Sequence, residues 1–118
     1  MSTSKTIDSE TIQADLVLPD LKAASSAELL QLIAAGASEH VSAGAEFLYD
    51  ELVRKERRTP SGIGGGVAIL HLQSSELGEP FIMFSRLSER IEFNSADDKP
   101  VDLVLLLLSP ESDGPLHL

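Results

Sequence analysis

Val101-Asp102-Leu103-Val104-Leu105-Leu106-Leu107-Leu108 is the stretch that decides the fold. From Leu103 onward it is apolar at every position, and Pro110 stops it. Successive side chains of a strand point to opposite faces, so an apolar run without alternation belongs to a strand covered on both sides. The spacing predicts a central strand. Upstream, Val67-Ala68-Ile69-Leu70-His71-Leu72 and Phe81 to Leu87 read as two more strands, and Ile91-Glu92-Phe93 as a brief extended piece. Leu21-Lys22-Ala23 reads as a first short strand, set off by Pro19 from the apolar run Ile12 to Leu18.

Two helices precede the main strands. Ser25 and Ser26 are N-caps with Glu28 in the first turn, and Leu29, Leu30, Ile33 and Ala37 then recur at helical spacing, giving a helix over 26–41. A second runs over 43–57, burying Phe47, Leu48, Leu52 and Val53. The expected fold class is α/β, a mixed β-sheet flanked by helices. A chain of 118 residues supports one core. The Ser/Thr-rich residues 1–10 read as a flexible N-terminus and 11–118 as the domain.

Composition narrows the function. There is no cysteine, which removes disulfides and thiolate metal sites. Met1 to Glu10 has no basic or apolar leader, and the six-residue run Leu103 to Leu108 is too short to span a bilayer, so no membrane insertion and a cytoplasmic location are expected. The net charge of −10 argues against a nucleic-acid partner. Against nineteen acids, four of the nine bases sit together in Arg54-Lys55-Glu56-Arg57-Arg58. A cluster there either complements the helix dipole as a solvated end or faces an anion.

Thr59-Pro60-Ser61-Gly62-Ile63-Gly64-Gly65-Gly66 follows. No Gly-Lys-Ser/Thr completes a phosphate loop, and the glycines lead into a strand rather than leaving one, which excludes the dinucleotide fingerprint. The run is either an anion-binding nest of backbone N–H groups or a flexible connection, and the glycines alone leave both open. His71, near the end of its strand, could be an ordinary edge residue. Yet Lys55, Arg57, Arg58, a Ser/Gly loop and the histidine fall within 17 positions. A neutral imidazole, N–H donors and cations are what phosphoryl transfer to a histidine needs, without metal or cofactor.

Ser61-Gly62-Ile63-Gly64-Gly65-Gly66-Val67-Ala68-Ile69-Leu70-His71 resembles the T-G-I-G-x-G-I-A-I-P-H motif of phosphotransferase system enzyme IIA domains of the fructose, mannitol and nitrogen-regulatory type. Lys55-Glu56 through Pro60-Ser61 falls on the family's R-E-x-x-x-S-T. Arg86-Leu87 with Ile91-Glu92-Phe93-Asn94 is similar to R-L-x-x-P-I-x-F-x, and Asp98 to Val104 to D-x-x-P-V-D-L-V. Leu106 to Glu111 falls on L-L-x-P-x, and His117-Leu118 on the H-L that opens a further helix. The resemblance extends over about residues 12–118 in order and spacing.

It implies a phosphoryl carrier in which His71 accepts the group from the histidine phosphocarrier protein. His117 lies beside it, and Lys55, Arg57, Arg58 and Ser61 stabilise the phosphoryl oxygens. An enzyme IIB or a regulated target protein would be the next partner, and the absence of an attached IIB or membrane domain leans towards the regulatory, nitrogen-related branch. Leu70 stands for the family's proline, Leu72-Gln73 for Gly-Lys and Lys55 for arginine, so the bidentate fork becomes a point charge. Leu72 is expected to add bulk beside the imidazole. These departures frame the alternative, a non-phosphorylatable interaction domain that kept the fold. The sequence stops before the family's last helices, which would leave one sheet face bare and implies either pairing with a second copy or a partner, or marginal stability alone.

Overall fold

The computed structural model describes residues 14–93 and 95–111. The expectations for residues 1–10 and His117 lie outside that range. Five strands and two helices follow in the order β1 (Leu16–Leu21), α1 (Ser26–Ser38), α2 (Ala45–Arg58), β2 (Gly62–Gly64), β3 (Val67–Ser74), β4 (Phe81–Ile91) and β5 (Val101–Pro110). They make one mixed sheet ordered β1-β4-β5-β3-β2. The apolar run is the central strand, as its sequence required. β5 pairs parallel with β3, from Val67↔Leu103 to Ser74↔Pro110, and antiparallel with β4, from Phe81↔Leu108 to Arg86↔Leu103.

The helices carry the chain from β1, at one edge of the sheet, to β2 at the other, and so cross one face of it. Ser25 caps α1, its hydroxyl accepting from the Glu28 N–H at 3.2 Å, while the Glu28 carboxylate accepts from Ala24 N–H. Leu29, Leu30, Ile33, Ala34 and Ala37 of α1 are buried, as are Leu48 and Leu52 of α2. Phe47 and Val53 are only partly buried against the same core. α2 ends where Pro60 forces Thr59 into extended geometry, and Lys55, Arg57 and Arg58 fill its last turn, where cations suit the dipole.

Beneath the helices lie Ala68, Leu70, Leu72, Met83, Val104, Leu106 and Leu108, all buried. The other face carries Val67, Ile69, His71, Ile82, Phe84, Leu103, Leu105 and Leu107, each half-buried among the described residues. The expectation that β5 is covered on both sides therefore holds in full for one face only.

The first strand differs from its reading. It is Leu16–Leu21, parallel to β4, rather than Leu21–Ala23, and it runs through Pro19 with a register shift between Leu18 and Leu21. An edge strand can do this because the proline's missing donor faces away from the sheet.

Candidate phosphoryl site at the edge of the sheet

Three of the residues singled out by sequence meet where α2 ends. Lys55, Ser61 and His71 line one cavity of about 210 Å³, with Thr59, Pro60, Ile63, Ile69 and Leu70 completing its wall. α2 supplies Lys55 from its last turn, the chain leaving the helix supplies Ser61, and β3 presents His71 on the face away from the helices. Arg57 and Arg58 are exposed on the same turn and do not line the cavity. His40 lies elsewhere, at a hollow with Asp15 and Glu79, stacked on Phe81 with ring centroids 5.7 Å apart.

The entry to the loop is tied down by Glu56. Ser61 donates its backbone N–H to both carboxylate oxygens, at 3.2 and 3.1 Å, and its carbonyl accepts from Ile69 N–H in β3 at 3.0 Å. Burial pushes the Glu56 carboxyl above the ordinary carboxylate value, against the opposing pull of the Ser61 side chain and backbone. The Ser61 hydroxyl favours the carboxylate form of Glu56 without making a geometric hydrogen bond to it. Its Oγ is buried, the residue being 8% exposed, and has no hydrogen-bond partner among the described residues. A buried hydroxyl without a partner costs about 1–3 kcal/mol, and this one belongs to a residue on the wall of the histidine's cavity.

His71 is half-buried. Burial first, and the Lys55 charge second, lower its pKa below the ordinary histidine value, so the ring is neutral near neutral pH and keeps a lone pair. Its Nε2 lies 3.2 Å from the Oγ of Ser109, a buried residue of β5. Neither Ser109 nor the Glu56–Ser61 tie was legible in the sequence, since Ser109 stands 38 positions from its partner.

One expectation changes and one open alternative closes. Leu72 does not crowd the imidazole: it is 6% exposed and points into the helix-covered core, on the opposite face from His71. Leu70, where the resembled motif has proline, is likewise core. The glycine run is no anion nest. Gly64, Gly65 and Gly66 take φ values of 101°, 67° and 81° to turn β2 into β3, and the Gly65 N–H is already given to the Asp97 carboxylate at 3.0 Å. That turn stands about 16 Å from His71 at roughly 3.3 Å per residue, and its anionic partner would repel a phosphate.

Among the described residues no group of three acidic, histidine or cysteine side chains could hold a metal, and no helix is long and apolar enough to cross a membrane.

Residues 10–118 match the family model of the phosphoenolpyruvate-dependent sugar phosphotransferase system, EIIA 2. The chain belongs to that family. Over 109 residues it is 38% identical to a nitrogen regulatory protein of Bradyrhizobium diazoefficiens, covering 92% of this chain and 71% of the relative. It is 35% identical over 69 residues to the fructose-specific EIIA component of Haloferax volcanii, covering 58% of this chain and 45% of that one. The EIIA fold is shared with nitrogen regulatory protein IIA-Ntr from Neisseria meningitidis, at a TM-score of 0.76 and 29% identity over 81% of this chain and 65% of the other. IIA mannitol from Escherichia coli, at 0.66 and 18% identity over 82% and 72% of the two chains, shows the fold alone.

Proposed function

We propose that this EIIA domain is a phosphoryl carrier that accepts a phosphoryl group on His71 from the histidine phosphocarrier protein, in a nitrogen-related regulatory role in the cytoplasm. The regulatory branch is supported by the relatives named nitrogen regulatory protein. A regulated target protein, or an enzyme IIB, would take up the signal or the group. The observation that carries the reading is one cavity lined by a neutral imidazole, by Lys55 and by Ser61, whose buried hydroxyl has no hydrogen-bond partner among the described residues. A cation and a hydroxyl suit the oxygens of a phosphoryl group in transit, and the nucleophile needs no metal. Arg57 and Arg58, exposed on the last turn of α2, add positive potential to that end of the helix, and His117 is assigned an assisting contact to the phosphoryl oxygens.

Incubation with phosphoenolpyruvate and the phosphotransfer proteins should give an acid-labile mass gain of one phosphate. His71→Ala abolishes it, His40→Ala leaves it, and His117→Gln slows it without unfolding the protein. Labelling that survives His71→Ala would remove the reading.

A further inference from the structure

The partner of the reactive ring is a buried serine on the central strand. Ser109 is 5% exposed, and its hydroxyl has the His71 Nε2, 3.2 Å away, as its one hydrogen-bond partner among the described residues. β3 and β5 fix this approach by their parallel register, which sets Gln73 opposite Ser109 and His71 opposite Leu107. The bond can run two ways. If Nε2–H donated to Oγ, the serine's own proton would be left buried without an acceptor among the described residues, at the cost that attends any orphaned donor. If Ser109 donates to the Nε2 lone pair, its proton is satisfied. The ring proton then sits on Nδ1, on a half-exposed side chain that water can reach.

We propose that Ser109 is a positioning and phosphoryl-contacting residue, which fixes the imidazole as its Nδ1–H tautomer with the lone pair on Nε2 and then passes its hydroxyl to the phosphoryl oxygens. The second half rests on the phosphoryl-carrier reading above, whereas the tautomer stands without it. The step balances. The Nε2 lone pair forms the N–P bond while the N–P bond of the incoming phosphohistidine breaks, its pair returning to the donor's imidazole nitrogen. No proton needs to move, because Nδ1 keeps its own and the resulting ring charge lies beside the phosphoryl dianion. The Ser109 hydroxyl, released from Nε2 as that lone pair is consumed, swings about its Cα–Cβ bond out of the line of the incoming phosphorus and donates to an oxygen of the new group.

Two measurements test it. In ¹⁵N spectra of the His71 ring above its pKa, Nε2 should show the unprotonated signature in the native protein. In Ser109→Ala it should move towards the protonated one, and Ser109→Thr, which keeps the hydroxyl, should restore it. A protonated Nε2 in the native protein, or the same ring spectrum in Ser109→Ala, would overturn the proposal whatever the chain does with phosphate. The second arm uses phosphoramidate, a small phosphoryl donor that needs no protein partner. Phosphohistidine formed with it should hydrolyse several-fold faster in Ser109→Ala than in the native protein or Ser109→Thr. Equal lifetimes would overturn the phosphoryl contact. If phosphoramidate labels His71 but the phosphotransfer proteins do not, the carrier reading fails while Ser109 keeps its role.

Discussion

The Ser61 N–H is held by both oxygens of the Glu56 carboxylate, and the Ser61 carbonyl in turn holds the Ile69 N–H two residues before His71. The end of α2 is thereby tied to the histidine's strand through a single residue. Glu56→Ala should leave that N–H without its partner and cost about 1–2 kcal/mol in urea unfolding. Glu56→Gln keeps an acceptor without a charge that burial disfavours, so it should stay within about 0.5 kcal/mol of the native protein. Native stability in Glu56→Ala would show that the tie holds nothing.

Gly62 is crowded more closely than any glycine of the turn. A methyl group there would lie 2.6 Å from the Ser95 Oγ and 2.8 Å from the Ser95 Cα, and the backbone atom cannot swing aside. Gly62→Ala should therefore cost about 1–3 kcal/mol through overpacking. At Gly78 nothing lies within 4 Å of the added atom, which makes Gly78→Ala the control and predicts little change. Thermal melts of the two variants decide it, and equal melts would mean that the Ser95 segment gives way freely.

What could be read from the chain was set by how local each signal is. The leucines of β5 and the apolar run of β3 announce their strands without help from neighbours. β1 was misplaced because Pro19 looks like a terminator, and only the finished sheet shows that this strand is an edge. The opposite orientation of His71 and Leu72 was available from the alternation of a strand and outweighs their adjacency in sequence. Lys55, Ser61 and His71 could be grouped because they are close along the chain. Ser109 reaches the imidazole only through the parallel pairing of β3 with β5, which no short-range pattern encodes. The glycine run mattered for its backbone angles and for Asp97, and neither shows in a motif.

The pH dependence follows from the neutral imidazole. Burial and Lys55 hold the His71 pKa below its ordinary 6.5, so the unfolded chain takes up this proton at a higher pH than the folded one. The group's contribution to stability is complete above 6.5 and falls away as the pH drops through the lowered folded value. His71→Gln should flatten that part of the stability curve. Labelling by phosphoramidate should keep its rate until the pH is below 6.5 and then decline as the ring protonates. Lys55→Met removes the second cause and leaves burial, so the midpoint should rise part of the way back. A native midpoint at or above 6.5 would contradict the burial of the ring.

Leu105 and Leu106 are neighbours on β5 that face opposite ways. Leu106 is 1% exposed and stands between Leu70 and Met83 under the helices, whereas Leu105 is half-buried between Ile69 and Phe84 on the other face. Truncating Leu106 to alanine should open a cavity in close packing and cost about 2–5 kcal/mol. The same change at Leu105 removes atoms that already touch solvent and should cost about 1 kcal/mol. Chemical unfolding of both variants at several protein concentrations tests the difference. If Leu105→Ala costs as much as Leu106→Ala, the second face is packed as firmly as the first by something other than α1 and α2. A native midpoint that rises with concentration would then identify the cover as a second copy of the chain. A midpoint independent of concentration would assign it to residues of the same chain.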